Sequence, residues 1–522
     1  MKKTVKIFCL ILSVFLFSLC FACGSQQPDD GGGEDVIEDV KELDEAQNYK
    51  NTTTQLQPSG SSHDPAIIKD GDTYYLFGTN SVTKSTSKDL IRWTDEGQVF
   101  SYDAAYASGG TYQERKNAQG VVISCAKEMV DYVMQYYGAS PQYNQTSGYW
   151  APDIIKYGNE YRLYFCMSLF GKKQSAIGFA TSTTGINGTF VYQGIVLKSK
   201  ASDPVSMPNA IDPNVIVDKT GKMWMAYGSF FGGIYIIELD PATGFVKSGS
   251  GYVKSVDVSV NAGTKICAGN NEGPYIIYNP TTDYYYLFVS YGNLEKNYNV
   301  RVGRSREITG PYTFGLNDGQ QMQKSGSGDD KLGNKVIGGY NFGIEDTSSR
   351  MAPGHCSVLY DNGSYYIVNH VRRAGTNYHY VQVHKLFFNE NGWPCVLTNT
   401  YAGEVKQNIG TADLYGAWKY ITYLKNDNIM TGANGNTVYA LSMNVQSDKK
   451  ISGDLTGSIQ AYTGGIVHIT VTKNGFGDSE DPYLGTYYGF VVSGYDYDNQ
   501  KSTLFISAVN EYGYTLVAEK TF

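Results

Sequence analysis

Short apolar runs recur along the first 400 residues, and each one is followed by a turn and a second, aromatic run. Residues 270–290, NNEGPYIIYNPTTDYYYLFVS, show the pattern. Similar units begin at His63, Trp150, Ile211 and Ala352. Each unit has a proline near its start with an acidic or polar residue close by, and a turn such as Asp-Gly or Asn-Gly separates its two runs. This alternation of runs and turns predicts β-hairpins.

The spacing of these units predicts how they are arranged. Their prolines, at positions 65, 152, 213, 274 and 353, are separated by 87, 61, 61 and 79 residues. Such intervals are too long for a solenoid repeat and fit four-stranded propeller blades with insertions. We therefore predict an all-β fold whose first domain, residues 59–400, is a five-bladed β-propeller.

A propeller brings the starts of its blades together, because the innermost strand of each blade lines the central channel. The residues at or near the blade starts are Asp64, Asp153, Asp212, Glu272 and His355. Repulsion among clustered carboxylates destabilises a fold, so four acids on one axis favour a chemical role for the channel.

The rest of the chain divides into an insertion and a second domain. Between the first two units, AKEMVDYVMQYYG (126–138) places its apolar residues on one helical face and ends in glycine, which predicts a helix packed against the rim. From about residue 401 the repeat is absent. The strand-like segments there predict a separate small antiparallel β-barrel or sandwich over residues 401–522.

The N-terminus has the features of a lipoprotein signal. Three lysines precede an apolar run that ends in Phe-Ala-Cys, which predicts a signal peptide over residues 1–22 and lipidation of Cys23. Residues 23–58 are Gly-rich and acidic at their start, so we expect a disordered tether. We expect the lipid alone to hold the protein at the outer membrane or cell surface of a Gram-negative bacterium.

Composition narrows the choice of partners. Cleavage before Cys23 removes three lysines and no acids, which takes the formal net charge from −8 to −11 and argues against nucleic acid and anionic membranes as partners. Aromatic residues make up 14% of the chain and include 45 tyrosines, which suits an extracellular β-protein and flat contacts with sugars. No H-E-x-x-H, G-x-S-x-G or P-loop pattern occurs, so zinc-protease, serine-esterase and nucleotide-binding functions lack support.

Six motifs resemble the blade starts of the five-bladed propeller glycoside hydrolases of family 43: HDPAII, WAPDI, NAIDPNV, GSFFGGIY, NEGPYI and PGHCSV. The likeness extends over roughly residues 60–400 and is strongest to endo-1,5-α-L-arabinanases that carry a C-terminal β-domain. It implies an inverting hydrolase that cleaves α-1,5-linked plant arabinan or arabino-oligosaccharides. We expect a monomer without an organic cofactor.

The resemblance implies a role for each of three acids. Asp64 would be the general base, Glu272 the general acid, and Asp212 the carboxylate that orients the acid and raises its pKa. Inverting hydrolysis uses one carboxylate to activate water and one carboxylic acid, about 6.5–9.5 Å away, to protonate the leaving oxygen. A neighbouring negative charge keeps the acid protonated at neutral pH. Taken alone, an Asp-Pro pair before a strand is commonly only a turn former.

The same resemblance implies substrate-lining residues and a metal ligand. The substrate-lining positions are Trp150, Asn209, Ser229, Phe230 and Phe231. Arabinanases commonly have Trp where Phe231 stands, which bears on the depth and specificity of that subsite. His355 would bind one central calcium ion, partly through water, since a lone histidine cannot form a zinc site. Asp153 is expected to be structural and to accept backbone hydrogen bonds in its turn.

Two alternatives are left open. Within the same family, an exo-acting α-L-arabinofuranosidase or β-xylosidase would use the same propeller, because loop shape at the pocket decides between endo and exo action. From another class, a non-catalytic glycan-binding surface lipoprotein would need only the anchor, the tyrosines and the β-domain. The three clustered acids favour the enzyme, since a protein that only binds sugar gains nothing from them.

Overall fold

The computed structural model describes residues 63–100, 126–138, 148–324, 332–343, 349–373, 376, 378–425, 438–476 and 482–521. The predicted signal peptide (1–22), the lipidated Cys23 and the predicted tether (23–58) lie outside the described residues. No helix in the described part of the chain is long and apolar enough to cross a membrane.

Five sheets make up the first domain. Blade one contains β1 (Ala66–Asp70), β2 (Thr73–Gly78), β3 (Thr83–Ser87) and β4 (Thr94–Gln98). Blade two contains β5 (Trp150–Tyr157), β6 (Glu160–Ser168), β7 (Ser175–Ser182) and β8 (Val191–Ser199). Blade three contains β9 (Asn214–Val217), β10 (Met223–Tyr227), β11 (Ile234–Leu239), β12 (Val246–Ser248) and β13 (Gly251–Val253). The short β14 (Val256–Asp257) pairs in parallel with β8, and β15 (Thr264–Cys267) pairs with β11.

The last two blades are extended by short outer strands. Blade four contains β16 (Asn271–Asn279), β17 (Tyr284–Tyr291), β18 (Asn299–Ser305), β19 (Thr313–Phe314) and β20 (Gln320–Gln321), with β21 (Asn334–Ile337) paired to β18. Blade five contains β22 (Tyr340–Asn341), β23 (Arg350–Asp361), β24 (Ser364–Arg373), β25 (His379–Phe388) and β26 (Pro394–Val396). In each blade, the predicted hairpin turn joins the first long strand to the second.

The first long strands of the five blades form a closed ring. Strand β1 contacts β5 and β23, β9 contacts β5 and β16, and β16 contacts β23. Apolar clusters fill the space between neighbouring blades, which explains why these strands are apolar on both faces rather than alternating. The predicted five-bladed propeller is therefore confirmed.

The predicted helix between blades one and two is also present. Helix α1 (Lys127–Met134) continues as a 3₁₀ turn (Gln135–Tyr137), and Gly138 ends it with a φ of 63°. Met129, Val130 and Val133 are fully buried in the cluster that blade two shares with blade one. The hydroxyl of Tyr132 donates to the carbonyl of Ser199 at 3.0 Å, which fixes the helix against blade two.

The C-terminal domain is a closed eight-stranded antiparallel barrel, which decides between the two predicted architectures. Its strands are β27 (Gly416–Thr422), β29 (Leu441–Val445), β30 (Lys450–Gly453), β31 (Thr456–Ala461), β32 (Ile466–Lys473), β33 (Gly485–Asp496), β34 (Lys501–Asn510) and β35 (Thr515–Lys520). The barrel closes because β27 pairs with both β29 and β35. Short β28 (Val438–Tyr439) pairs instead with β22 of blade five.

The barrel packs directly on blades four and five. Phe490, Val492 and Phe505 of the barrel belong to the same apolar cluster as the residues of those blades. Arg301 of blade four is fully buried, and its guanidinium donates to the carbonyl of Lys425 at 2.9 Å. A shared core and a buried polar bond hold the two domains together on the side of blades four and five.

Candidate active site

The residue before the blade-start proline has a left-handed backbone in all five blades. The φ angles are 53° at Asp64, 41° at Ala151, 57° at Asp212, 56° at Gly273 and 50° at Ala352. A positive φ is costly for residues other than glycine and persists only where the surrounding structure enforces it. This repeated turn gives the five blade starts the same backbone conformation, and two of them present a carboxyl group.

Glu272 enters the channel through a β-bulge. It lies one residue before Gly273, and the register between β16 and β17 shifts between Glu272 and Tyr275. Bulges re-aim side chains and are common next to active sites. Strand β23 has similar shifts on both sides of Gly354, and the next residue, His355, has a φ of 47°. These irregularities explain how an acid and a histidine turn into the channel from strands that are otherwise buried.

A cavity of about 710 Å³ lies where the blade starts meet. The predicted catalytic, substrate-lining and metal-binding residues all line it: Asp64, Trp150, Asn209, Asp212, Ser229, Phe230, Phe231, Glu272 and His355. The fold therefore brings these nine side chains into one pocket, although they come from all five blade units.

Asp64 is surrounded by hydrogen-bond donors. Its Oδ1 lies 3.1 Å from Nδ1 of His63 and 3.1 Å from Nδ1 of His355. Its Oδ2 accepts a 2.5 Å bond from the Thr79 hydroxyl, and its backbone N–H donates to Nδ1 of His370 at 3.2 Å. Burial alone would raise the pKa of Asp64, but the imidazoles around it, His355 foremost, hold that pKa well below its usual range. Asp64 is thus an ionised carboxylate, the state that a general base needs.

A chain of hydrogen bonds continues behind Asp64. Nε2 of His63 lies 3.0 Å from Nδ1 of His379, and Nε2 of His379 lies 3.3 Å from the carbonyl oxygen of Leu294. Burial lowers the pKa of His379 to about 4, so this ring is neutral near pH 7. Because a carbonyl only accepts, His379 donates from Nε2 and accepts at Nδ1 from His63.

His63 therefore carries a proton on both ring nitrogens. Burial would lower its pKa, but the adjacent Asp64 carboxylate raises it above its usual value. His63 then donates to Asp64 on one side and to His379 on the other. His370, in contrast, is neutral, since burial holds its pKa well below the usual value.

The acid side of the pocket holds two carboxyl groups close together. The hydroxyl of Ser229 donates to Oε2 of Glu272 at 2.8 Å, and the hydroxyl of Tyr298 donates to Oε1 at 2.8 Å. Oδ2 of Asp212 accepts the backbone N–H of Gly273, the neighbour of Glu272, at 3.1 Å. These bonds fix the position of both carboxyl groups relative to the start of β16.

The pKa values of both carboxyl groups on this side are raised. For Asp212, burial raises the pKa well above its usual value, and repulsion from Glu272 and then Asp64 adds to it. For Glu272, burial also raises the pKa, although attraction to His355 and the bonds from Ser229 and Tyr298 offset part of the effect. The pair therefore retains a proton in a pH range where ordinary carboxyl groups have lost theirs.

The predicted substrate-lining residues fall into two groups. Trp150 and Phe230 are half-buried, Phe231 is 37% exposed, and all three residues line the cavity. Asn209 is buried, and its Oδ1 accepts a 2.7 Å bond from the Ser175 hydroxyl. Ser229 lines the cavity, and its hydroxyl donates to Glu272, so it also positions that carboxyl group.

His355 offers few ligands for a metal ion. Its Nδ1 faces Asp64, and its backbone N–H donates to the Ser290 hydroxyl at 2.8 Å. Its side chain is 13% exposed on the cavity wall, among the carboxylates. One imidazole beside a negatively charged cavity is compatible with a hard cation that takes water as its other ligands, and it does not form an all-protein cage. The calcium ion stays a prediction.

Asp153 lies between blades two and three rather than in the cavity lining. Its carboxylate accepts the backbone N–H of Val215 at 2.6 Å and the side-chain amide of Asn214 at 3.2 Å. Oδ1 of Asn214 in turn accepts the backbone N–H of Ile276 in blade four at 2.8 Å. Asp153 thus begins a series of bonds that joins successive first strands across blades, and the backbone N–H of Ile154, next to it in its own turn, also favours its charged form.

Several residues of the site were not singled out from the sequence. They are His63, Thr79, Tyr298, His370 and His379. One signal was available: the chain has only six histidines, and four of them gather around Asp64. Thr79 and Tyr298 had no such signal, since neither lies in a blade-start motif.

Comparison with known proteins gives the chain a consistent set of relatives. The model of the glycosyl hydrolases family 43 matches residues 127–394, and the model of a C-terminal lipocalin-like domain matches residues 398–518. The chain is 30% identical to the extracellular endo-α-(1→5)-L-arabinanase 2 of Bacillus subtilis (strain 168) over 481 residues, which cover 87% of this chain and 91% of the relative.

A second relative is similar in both sequence and structure. The extracellular endo-α-(1→5)-L-arabinanase of Thermotoga petrophila is 34% identical over 393 residues, which cover 70% of this chain and 76% of the relative. The crystal structure of endo-1,5-α-L-arabinanase from Thermotoga petrophila RKU-1 superposes with a TM-score of 0.71 at 28% identity, and the match covers 89% of this chain and all of that one.

Proposed function

The chain belongs to glycosyl hydrolase family 43, and we propose that it is an endo-acting hydrolase of α-1,5-linked L-arabinan that inverts the anomeric configuration. One observation carries the proposal: the pocket holds an ionised carboxylate, Asp64, together with a carboxyl pair, Asp212 and Glu272, whose pKa values are raised. A base and an acid in one pocket are what inverting hydrolysis requires. The names of the relatives supply the substrate class.

The proposed reaction is a single displacement. Asp64 takes a proton from a water molecule as the water oxygen bonds to the anomeric carbon. The bond from that carbon to the leaving oxygen breaks, and Glu272 gives its proton to the leaving oxygen. Asp212 keeps Glu272 protonated beforehand by like-charge repulsion and holds the start of β16 through Gly273. The reaction leaves Asp64 protonated and Glu272 ionised, and exchange with solvent restores both.

The test is the release of reducing sugar from debranched arabinan by the purified protein. Chromatography of early products separates the alternatives, because an endo enzyme gives a ladder of oligosaccharides and an exo enzyme gives only monosaccharide. NMR of the first product identifies the anomer, and inversion yields the β-anomer from the α-linkage. Binding of arabinan without turnover would favour the glycan-binding protein and overturn the proposal.

We also propose that one calcium ion binds to His355 with water as most of its other ligands. When bound, it would supply positive charge that orders channel water and carboxylates without contacting the sugar. Chelation, or His355→Ala, is expected to lower activity while the fold survives, as followed by circular dichroism. Unchanged kinetics after verified metal removal would contradict this role.

The proposed location follows from the sequence around Cys23. We propose lipidation of Cys23 and attachment to the outer membrane or cell surface of a Gram-negative bacterium, with the enzyme acting as a monomer. Metabolic labelling with a fatty-acid probe is expected to mark the wild-type chain and to miss Cys23→Ala. Labelling of both chains, or of neither, would contradict the anchor.

A further inference from the structure

Three histidines meet beside Asp64. The ring centres of His63 and His370 are 4.4 Å apart, those of His63 and His379 are 4.1 Å apart, and those of His370 and His379 are 4.9 Å apart. Each ring has a nitrogen within 4.8 Å of a nitrogen in each of the others. We propose that this triad, His63, His370 and His379, binds a divalent transition-metal ion such as Zn²⁺ or Co²⁺ and that the bound ion inhibits the enzyme through Asp64.

The first support is an unsatisfied atom. Nε2 of His370 is buried and has no hydrogen-bond partner among the described residues, and the residue is 1% exposed. A buried polar atom without a partner costs free energy. The ring that carries it contacts both His63 and His379. A metal ion at the triad would give this imidazole a partner.

The second support comes from the groups behind the ligands. A histidine that binds a metal usually donates its other ring N–H to a carboxylate or a backbone carbonyl, which fixes the ring and its tautomer. His63 has Asp64 Oδ1 at 3.1 Å from Nδ1, and His379 has the Leu294 carbonyl at 3.3 Å from Nε2. Two of the three ligands therefore already have the supporting bonds of a metal site.

The third support is the proton that a metal ion would replace. His63 Nε2 and His379 Nδ1 are 3.0 Å apart and share one proton, which His63 carries. Binding of M²⁺ releases this proton to solvent, and the lone pairs of His63 Nε2 and His379 Nδ1 become ligands. His370 accepts the Asp64 N–H at Nδ1, so its own proton is on Nε2. In the metal-bound state this proton moves to Nδ1, 3.5 Å from Oδ1 of Asp64, in place of the bond from the Asp64 N–H, and the Nε2 lone pair becomes the third ligand. No electron transfer and no other reactant are needed. The negative charge of Asp64 stabilises a cation at His63, and the Arg372 guanidinium opposes it.

The triad is distinct from the calcium position proposed at His355. Imidazole nitrogens favour Zn²⁺, Co²⁺, Ni²⁺ and Cu²⁺, whereas calcium takes oxygen ligands. The ring centre of His355 is 6.3 Å from that of His370, and His355 does not belong to the triad. Metal binding at the triad does not depend on the proposed function, but inhibition does.

Inhibition follows from the position of His63. A divalent ion in place of the shared proton adds one positive charge next to the imidazole that donates to Asp64. The added charge stabilises the Asp64 anion further and weakens it as a base. The turnover number is therefore expected to fall as the triad fills.

The experiment titrates the chelator-treated full chain with Co²⁺ and follows its visible absorption bands, which report nitrogen ligands and low coordination number. One Co²⁺ per chain is expected, and His379→Gln should weaken binding at least ~10-fold. His468→Gln, in the C-terminal barrel, is the matched control and should bind as the wild type does. His355→Ala should also keep the bands. Circular dichroism and thermal unfolding check that each variant is folded.

Substitution by another ligand keeps the test decisive if His379→Gln folds poorly. His379→Cys should restore Co²⁺ binding and add an intense thiolate-to-cobalt band in the near ultraviolet. Equal Co²⁺ binding by the wild type and a folded His379→Gln, loss of the bands in His355→Ala, or no binding at all would overturn the triad. Bands without loss of arabinan hydrolysis in the wild type would overturn inhibition while leaving the metal site in place.

Discussion

The two sides of the pocket bury the same functional group and give it opposite properties. On the side of blades one and five, Asp64 is surrounded by imidazoles and a hydroxyl donor, and its pKa lies well below the usual range. On the side of blades three and four, Glu272 lies near a second carboxyl group, Asp212, and the pKa values of both are raised. Burial acts in the same direction on all three, so the neighbours decide the outcome.

This difference supports Asp64 as the proposed base and places the proposed acid within the pair of Asp212 and Glu272, without reference to relatives. A carboxyl group among potential cations is ionised and can accept a proton, whereas a buried carboxyl group beside another one holds a proton that it can donate. Identical residue types in equivalent places of a repeated fold thus acquire separate roles. Each of the following substitutions within the pocket alters one side of it and leaves the other in place.

The largest effect is expected from removal of the base. Asp64→Ala should reduce kcat/KM by about 10²–10⁴-fold, because water attack loses its proton acceptor. The loss should be similar on arabinan and on an aryl arabinofuranoside, since both reactions need activated water. Steady-state kinetics on both substrates measures it. A loss confined to arabinan would remove Asp64 from the base role.

Removal of Asp212, the carboxyl partner of Glu272, should lower kcat less than removal of Asp64 does, and it should shift the pH–rate profile in one direction. Asp212→Asn replaces a carboxyl group that repels charge on Glu272, so the pKa of Glu272 should fall. The active enzyme needs Glu272 protonated, and the basic limb of the pH–rate profile should therefore move to lower pH. We expect kcat to fall about 10- to 100-fold at neutral pH. A basic limb that stays in place would show that Asp212 does not control the acid.

Tyr298→Phe should move the basic limb of the pH–rate profile in the direction opposite to that expected for Asp212→Asn. The Tyr298 hydroxyl donates to Glu272 and favours its charged form, so loss of the bond raises the pKa of Glu272. The basic limb should then move to higher pH, while kcat falls about 10-fold because the carboxyl group is less well positioned. Asp212→Asn is the paired control, since the two variants must shift the limb in opposite senses. Shifts of the same sign would contradict the assignment.

The smallest kinetic effect is expected outside the pocket. Asp153→Asn removes a carboxylate that accepts the Val215 N–H between blades two and three, so kcat should be unchanged and the free energy of unfolding should fall by about 1 kcal/mol near pH 5. Burial raises the pKa of Asp153 to about 7, above its unfolded value, so the wild type loses stability as pH rises from about 4 through 7. Between pH 5 and pH 8 this loss amounts to about 2.7 kcal/mol, which exceeds the difference at pH 5, so the variant should be the more stable protein by about pH 8. Denaturant unfolding at the two pH values measures it.

The architecture could be predicted from the sequence because a blade is a local pattern. The apolar runs, the turn pairs and the spacing of Pro65, Pro152, Pro213, Pro274 and Pro353 are visible in one dimension, and the structure confirms the five blades. The helix beginning at Lys127 was predictable for the same reason. For the C-terminal domain, the sequence did not decide between a barrel and a sandwich. The barrel closes through the pairing of β27 with β35, and these strands are almost 100 residues apart in the chain.

The surroundings of the acids could not be predicted in this way. Thr79 and Tyr298 lie in loops and donate to Asp64 and Glu272, respectively. His379 lies at the start of β25 and bonds to His63, the neighbour of Asp64. No motif marks any of these three positions. Ser229 is an example, since its motif predicted a place in the cavity lining but gave no sign that its hydroxyl donates to Glu272. A motif identifies which residue lies at a blade start, but the pKa of that residue depends on side chains that only the fold brings near.

The most direct test of the central claim, that Glu272 is the acid and Asp64 the base, compares two leaving groups. In Glu272→Ala, kcat/KM for arabinan should fall by about 10²–10⁴-fold, because a sugar hydroxyl leaves only when it is protonated. An aryl arabinofuranoside with an activated phenol needs little protonation, so its kcat/KM should fall less than about 10-fold. The measured quantity is the ratio of the two losses, and the predicted ratio is far above one. Equal losses on the two substrates would contradict the account.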